Sequence, residues 1–229
     1  MTMNGKQAAV KWVFLIGVLS VVAGAHAQKS PPRIEVPGGP MPIWVLAQSP
    51  ADTSTDLQVI CLFRSSPVNA LHGSLVEINE KLNGLLDRIR KPELFRGELG
   101  ETLVIRPPKG SLAAHRLLII GLGDSQTFTP QRMQLVGEIL YREASDLGVK
   151  HPFFAPTILD GGVSKFTTGP VAEQVITGFL RADATEKALA SGGAAHGSGP
   201  SELIYLAGVK NVGSTRDGIM KVISGAAQR

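Results

Sequence analysis

Several residue types and patterns are scarce in this chain of 229 residues. It has one cysteine, Cys61, which excludes an intramolecular disulfide framework and a zinc site built from several cysteines. Lys and Arg are scattered rather than clustered, which argues against a nucleic-acid partner although the formal net charge is +4. Cys61 lies within an apolar run, so we expect it to be a buried, small hydrophobic residue.

The sequence also lacks the signatures of common hydrolases. None of the five histidines has HExxH or HxH spacing. There is no Gly-x-Ser-x-Gly nucleophile elbow and no Walker phosphate loop. The residues therefore point to no catalytic side chain, no metal ligand and no cofactor.

Residues 1–27 have the pattern of a signal peptide. Lys6 and Lys11 precede an apolar run over 12–23, and Ala25 and Ala27 are small residues where a signal peptidase would cleave. The run is shorter than the roughly 20 residues that span a bilayer, and no other run is long enough. We predict cleavage after Ala27, export to the periplasm or the medium, and no membrane attachment afterwards.

Apolar patterns along the rest of the chain alternate between strands and helices. Residues 28–42 are rich in proline and glycine and predict an extended leader. Strands are predicted at 43–47, 57–63, 102–105, 116–120, 153–159 and 203–207. Helices are predicted at 71–89, 129–147, 170–180 and 214–226. A capping box, Ser74 to Glu77, is expected near the start of the first helix. Residues 183–200 are predicted to be a mobile loop or a linker. Such alternation indicates one layered α/β domain over 43–229.

Two glycine-containing loops follow predicted strands and supply the candidate ligand-binding residues. The first loop contains Gly121, Gly123 and Asp124. The second runs into the helix opened by Pro170 and contains Asp160, Gly161, Gly162 and Gly169. Backbone N–H groups and the positive end of a helix suit a phosphate or a carboxylate. Asn69, between a strand and a helix, is a further candidate for the same cleft. An ordinary turn or helix-entry role remains open for each of these residues.

The order of the motifs resembles the N-terminal domain of the leucine aminopeptidases, also called cytosol aminopeptidases. The strand 57–63 is followed by 82–86 on a helix, by 95–100, and by a strand that ends in the Gly-Leu-Gly turn. Thr129 and Pro130 then open a helix, as is typical of that domain. The resemblance covers residues 43–226. It implies a macro-domain-like fold of three layers, with a mixed β-sheet flanked by helices.

The resemblance implies no catalytic residue for this chain. In that family, peptidase chemistry belongs to a separate C-terminal domain, where Lys, Asp and Glu residues hold two metal ions. The family's Asn-Thr-Asp-Ala-Glu-Gly-Arg motif has no counterpart here. We therefore expect an exported, non-catalytic binding or regulatory domain, a monomer or dimer, that contacts a protein partner or a small anionic ligand.

Two alternatives stay open. Macrodomains share this fold and bind ADP-ribose, so the chain could bind or hydrolyse an ADP-ribose-type ligand. Asn69 and Asp160 would then orient the substrate and a water, and the loop from Gly161 to Gly169 would hold phosphate. The other alternative is a subunit that supports an aminopeptidase by assembling with another chain.

Overall fold

The fold is described for four stretches of the chain, residues 33–64, 70–91, 94–195 and 199–226, in a computed structural model. The predicted signal peptide, the start of the predicted leader and Asn69 lie outside these stretches. All described residues belong to one unit of the chain.

Within the described residues, seven strands form one sheet. Their bounds are β1 Arg33–Val36, β2 Ile43–Leu46, β3 Gln58–Leu62, β4 Thr102–Ile105, β5 Leu117–Gly121, β6 Phe153–Ala155 and β7 Leu203–Leu206. The order across the sheet is β1-β2-β7-β6-β3-β5-β4. The five central strands are parallel, and β1 and β4 pair antiparallel at the two edges. Every residue of β3, β5 and β7 is buried, as expected for parallel strands covered on both faces.

The described helices cover both faces of this sheet. Their bounds are α1 Gly73–Lys81, α2 Leu85–Arg90, α3 Arg132–Asp146, α4 Thr168–Ser191 and α5 Val212–Ala226. Side chains alternate between the faces along each strand. Val59 and Cys61 of β3 pack on the α3–α5 side, and Ile60 and Leu62 pack on the α1–α2 side. The predicted three-layer α/β fold with a mixed sheet is confirmed.

Several local predictions differ from the structure. Residues 33–36, placed in the leader, form β1 and pair with β2. The single helix predicted over 71–89 is two helices, because Asn83 and Gly84 take left-handed φ values of 53° and 76°. The predicted linker begins too early, since α4 continues to Ser191. The stretch 184–190 is rich in Ala, Glu, Lys and Leu, which favour helix.

The strand predicted over 153–159 ends at Ala155. Pro156 has no N–H to donate to a sheet ladder, and the chain leaves the sheet there. Among the described residues, no helix combines the length and the apolarity needed to cross a membrane.

Candidate ligand site

A cavity of about 360 Å³ lies at the carboxyl ends of β2, β7 and β6. The residues that follow these strands line it, namely 47–50, 156–160 and 207–209. The first turns of α1 and α4 and Thr215 of α5 complete the lining. Its volume falls in the range of roughly 300–1,000 Å³ typical of small-molecule sites. In open α/β sheets, ligands bind outside the carboxyl ends of the strands.

The wall beside α1 carries two carboxylates. Ser49 Oγ donates to Glu77 Oε2 at 2.8 Å, and Ser74 Oγ donates to the carboxylate of Asp160. The carbonyl of Asp160 accepts the N–H of His72 at 2.8 Å. Ser74 and Glu77 therefore do not form the predicted capping box, because each bonds to a residue of a neighbouring loop.

The wall beside α4 presents the start of that helix. The first N–H groups of a helix have no partner within it. Gly169 donates its N–H to Ser214 Oγ at 3.0 Å, and Pro170 has none to donate. Thr167 and Thr168 carry the remaining first-turn N–H groups, and both residues line the cavity. A helix N-terminus of this kind attracts negative charge.

Hydroxyl groups connect the starts of α4 and α5 at this wall. Thr215 Oγ1 donates to Thr168 Oγ1 at 3.0 Å, and Thr168 Oγ1 donates to the Asn211 carbonyl at 3.3 Å. Thr215 is fully buried. These bonds fix the first turn of α4 against α5, so its N–H groups are held in position.

Thr157 anchors the loop that follows β6. Its hydroxyl accepts the N–H of Cys61 at 2.9 Å and donates to the Cys61 carbonyl at 2.7 Å. One side chain thus replaces the ladder bonds lost after Pro156. Its φ of 47° is left-handed, which is rare for a β-branched residue and strained. Burial raises the pKa of the Cys61 thiol well above its usual range, so the thiol stays protonated.

Tyr205 of β7 also lines the cavity and is 1% exposed. Its ring packs edge-on against Phe154, with centroids 5.3 Å apart. Among the described residues, its hydroxyl has no hydrogen-bond partner. Burial is the main reason why the pKa of this phenol is raised well above its ordinary value. The hydroxyl is therefore a neutral donor, and leaving it unpaired costs about 1–3 kcal/mol.

Of the predicted site residues, Asp160 lines the cavity. Three glycines of the same loop do not. A side chain at Gly161 would meet Phe63 Cδ2 at 2.7 Å, and one at Gly169 would meet the Ser214 carbonyl oxygen at 2.9 Å. Gly162 has a φ of 88° with open space around it. Asn69 lies outside the described residues.

The other predicted loop lies away from the cavity lining. A side chain at Gly121 would collide with the carbonyl oxygen of Glu98. Gly123 has a φ of 74° and donates its N–H to the Gly97 carbonyl at 2.8 Å. Asp124 Oδ1 accepts the N–H of Gln126 at 2.8 Å, which closes a local turn. Gly121, Gly123 and Asp124 therefore contact other parts of the chain and are not among the residues that line the cavity.

Sequence reasoning missed Thr157, Thr168 and Tyr205. Tyr205 offered a signal, since a tyrosine inside an otherwise apolar buried strand has a hydroxyl that requires a partner. Thr157 offered none, because its role depends on a strand almost a hundred residues away, as the 96-residue separation of its bonds to Cys61 shows. In the described ranges, no three His, Cys, Asp or Glu side chains form a group that could hold a metal ion. In the family that the sequence resembles, Lys, Asp and Glu residues hold the two metal ions, and the described residues bring no group of three carboxylates together.

Sequence comparison relates this chain to one protein family. Residues 59–183 match the sequence profile of the N-terminal domain of the cytosol aminopeptidase family. A probable cytosol aminopeptidase from Roseiflexus castenholzii is 28% identical over 141 residues, which are 62% of this chain and 26% of that protein. The chain therefore spans well under half the length of this relative.

Solved structures show the fold. A tomato leucine aminopeptidase superposes with a TM-score of 0.55 at 18% identity, over 86% of this chain and 38% of that one. A Trypanosoma brucei macrodomain in complex with ADP-ribose gives 0.52 at 15% identity, over 76% of this chain and 67% of that one. The predicted macro-domain-like architecture is confirmed.

Proposed function

The chain belongs to the cytosol aminopeptidase family, whose N-terminal domain it carries, and from this premise we propose that it is a binding domain for a small ligand with an anionic group. The observation that carries the proposal is the first turn of α4, whose remaining N–H groups belong to the cavity-lining residues Thr167 and Thr168. The macrodomain that shares the fold holds ADP-ribose. That ligand carries negative charge, which supports an anionic group as the recognised feature.

Titration calorimetry tests the proposal directly. The protein purified from the exported fraction is titrated with ADP-ribose, AMP and leucine, each of which carries an anionic group. Saturable heat with at least one of them is expected. No heat from any of the three would contradict the proposal and redirect the search to a protein partner.

A matched pair of variants locates the anion. Thr167 is the N-cap of α4 and makes no side-chain capping bond. Asp and Ser are both good N-cap residues, so neither T167D nor T167S should weaken the helix. T167D adds a negative charge at the cavity and should abolish binding, whereas T167S should keep it. Equal binding by both variants would place the anion elsewhere.

We also propose that the chain has no peptidase activity of its own. The motif that carries the family's metal ligands has no counterpart among its residues. Incubation with leucyl substrates and added zinc or manganese should release no amino acid. Release by the protein only in a complex with another chain would instead support the subunit alternative.

A specific observation keeps ADP-ribose chemistry as the second candidate, namely the likeness to a macrodomain that holds ADP-ribose. In that case N69A should abolish turnover of an ADP-ribose substrate with little loss of stability. Unchanged turnover would remove Asn69 from this role.

Export is proposed from residues 1–27. Expression of the full chain in a bacterium should give a protein in the periplasm or the medium that begins at Gln28. Intact mass and N-terminal sequencing measure this. A cytoplasmic protein that keeps Met1 would contradict it.

A further inference from the structure

We propose that the protein associates with a second copy of itself through the outer edge of β1, so that two sheets join into one across a two-fold axis. The partner is therefore this same chain, held by strand pairing. The proposal does not depend on the ligand of the cavity, because no residue of β1 lines that cavity.

The outer side of β1 is an unpaired sheet edge. β1 comes first in the spatial order of the sheet, so β2 pairs with one of its sides and no described strand pairs with the other. Three of its four residues are exposed. An edge of this kind presents N–H and C=O groups to which another strand can bond. The residues of β1 decide which strand fits.

The hydrogen bonds of β2 show which backbone groups of β1 point inwards. The carbonyl of Leu46 accepts the N–H of Ala207, the residue after β7, at 3.0 Å. Backbone groups alternate between the two sides of a strand, so the preceding residue, Val45, points its groups at β1. Val45 lies opposite Ile34. Ile34 therefore bonds to β2.

Arg33 and Glu35 flank Ile34, so their N–H and C=O groups point to the outer edge. Their two side chains share one face of the sheet, because residues two apart on a strand point the same way. In the pairing with β2, Arg33 lies opposite Leu46 and Glu35 lies opposite Trp44, and both partners belong to the α1–α2 side. The edge thus carries one cation and one anion on one face.

These positions fit an antiparallel pairing of β1 with the same strand of a second copy. When the two-fold axis passes through Ile34, Arg33 lies opposite Glu35 of the partner subunit, and Glu35 lies opposite Arg33 of the partner subunit. The opposed residues all have outward backbone groups, so each pair can exchange both of its N–H···O=C bonds. Opposite charges directly across such a pair stabilise it.

Charge also disfavours the neighbouring registers. A shift of two residues would place Glu35 opposite Glu35 of the partner subunit, or Arg33 opposite Arg33 of the partner subunit, and like charges in these positions repel. A shift of one residue would set outward backbone groups against inward ones. Charged residues often keep edge strands apart. Here their opposite signs, two residues apart, make the edge complementary to itself.

Arg33 is held in place, whereas Glu35 has no described cation beside it. The Arg33 guanidinium lies 3.5 Å from Glu202 Oε1 and 5.3 Å from the centre of the Trp44 ring. Its side chain is 42% exposed, and a guanidinium has five N–H donors, so it can bind a second carboxylate. Among the described residues, Glu35 forms no salt bridge. The second copy would supply its cation.

Ile34 adds an apolar contact at the axis. Its side chain lies on the other face of the sheet and is 36% exposed. Opposed residues that do not bond to each other have Cα atoms only about 4.5 Å apart, so Ile34 would pack against Ile34 of the partner subunit. The strand at the other edge, β4, consists of Thr102–Ile105 and has no charged residue that could specify a register. The self-complementary pattern is therefore a property of β1.

The size of the contact sets the expected strength. Two strands of four residues bury a small area, and interfaces below about 1,200 Å² in total are transient. We therefore expect a reversible equilibrium between monomer and dimer. Sedimentation equilibrium over a series of concentrations measures it, with protein purified after expression of the full chain.

Single charge reversals should weaken the dimer. R33E places carboxylates opposite each other in both pairs, and E35R does the same with guanidinium groups. Each should raise the dissociation constant about tenfold or more. E80R makes the same change of charge as E35R at an exposed position of α1, away from β1. It is the matched control and should dimerise like the wild type.

Mixing the two weakened variants tests the register itself. R33E has two carboxylates at the edge of β1, and E35R has two guanidinium groups there. In a mixed dimer every opposed pair has opposite charges, so the mixture should associate at least as tightly as the wild type. Sedimentation of the mixture, with one variant carrying a fluorescent label, measures this. Failure of the mixture to associate would refute the pairing of Arg33 with Glu35 of the partner subunit.

Two results with the wild type and E35R would overturn the proposal outright. One is a wild-type protein that stays monomeric at every concentration. The other is a dimer whose dissociation constant E35R leaves unchanged, since that dimer would use another surface. Urea unfolding shows which variants fold. If R33E does not fold, because it loses its contact with Glu202, E35P takes its place: it removes an outward N–H, which edge strands tolerate, and should also weaken the dimer.

Discussion

Two glycine-containing loops leave the sheet at the same edge, on either side of β3, and they differ in what fills the space above them. The loop after β5 is covered by chain: Gly123 donates to the Gly97 carbonyl at 2.8 Å and accepts from the Arg64 N–H at 2.9 Å. The loop after β6 borders the cavity of about 360 Å³. A glycine after a strand therefore does not by itself indicate a ligand site: backbone fills the space beside Gly121, whereas nothing lies within 4 Å of a side chain placed at Gly162.

The largest expected effect is a loss of stability from a substitution at Gly121, beside the loop after β5 that residues 97–101 cover. G121A would push a methyl group into the carbonyl of Glu98, a rigid backbone contact. Overpacking a buried site costs about 3 kcal/mol at its upper range, so the free energy of unfolding should fall by that amount. Urea denaturation measures it. A wild-type midpoint for G121A would show that residues 97–101 do not cover this loop as described.

The next effect concerns Thr157, which anchors the loop after β6 to Cys61. T157V keeps the shape of the side chain but removes the hydroxyl from the Cys61 N–H and carbonyl. A buried backbone group left unpaired costs about 1–3 kcal/mol, and we expect the free energy of unfolding to fall by about 2 kcal/mol. T157S retains the hydroxyl and is the control. If T157V is no less stable than T157S, the hydroxyl does not hold the loop.

A smaller effect tests β3, the strand that separates the two loops. Cys61 is buried and its pKa is raised in the folded protein, so only the unfolded chain loses the thiol proton above pH of about 8.5. The folded state then binds more protons, and stability falls as pH rises, by about 1.4 kcal/mol per pH unit. Below that pH the contribution is fully present.

Urea unfolding between pH 8 and 10 measures this slope, and C61A should lose it whatever its own stability. Tyr141 and Tyr205 have raised pKa values too. Unfolded tyrosine ionises near pH 10, so their contribution is lost only at higher pH. An unchanged slope in C61A would mean that another group titrates.

The smallest effect sharpens the comparison. Gly162 belongs to the open loop, and a side chain there meets nothing, so the cost of G162A is that of the left-handed φ of 88°. That conformation costs a non-glycine residue about 1 kcal/mol. Urea denaturation of G162A and of G121A gives the ratio of their losses in the free energy of unfolding. Equal losses would remove the distinction between the two loops.

The sequence predicted most of the layered fold because buried strands and amphipathic helices have local signatures. The apolar run at 57–63 indicated β3, and the spacing of Met133, Val136 and Leu140 indicated α3. The break at Asn83 and Gly84 was missed, since an Asn-Gly pair on an apolar helical pattern looks like a tolerated interruption. The continuation of α4 to Ser191 has an ambiguous local signal, since the Ala, Gly and Ser content of 183–200 is typical of a loop whereas 184–190 consists largely of helix-favouring residues.

The candidate site was less predictable for a physical reason. Asp160 was found because it follows a strand and precedes a glycine loop. Gly121 and Gly123 share that pattern, but segment 97–101 covers them, and such long-range contact has no local signature. Thr157 depends on a partner across the sheet, Cys61, which a single sequence does not display.

The bond between Thr157 and Cys61 makes one amide a reporter on the cavity. A ladder amide exchanges its hydrogen with solvent when strands separate, whereas the Cys61 amide is protected by a side chain from the loop after β6. Local opening of that loop therefore exposes this amide while the neighbouring strands stay paired. In deuterated water, the hydrogen-exchange rate of the Cys61 amide therefore measures how often the loop after β6, which lines the cavity, opens locally. A ligand that stabilises this loop should slow the exchange.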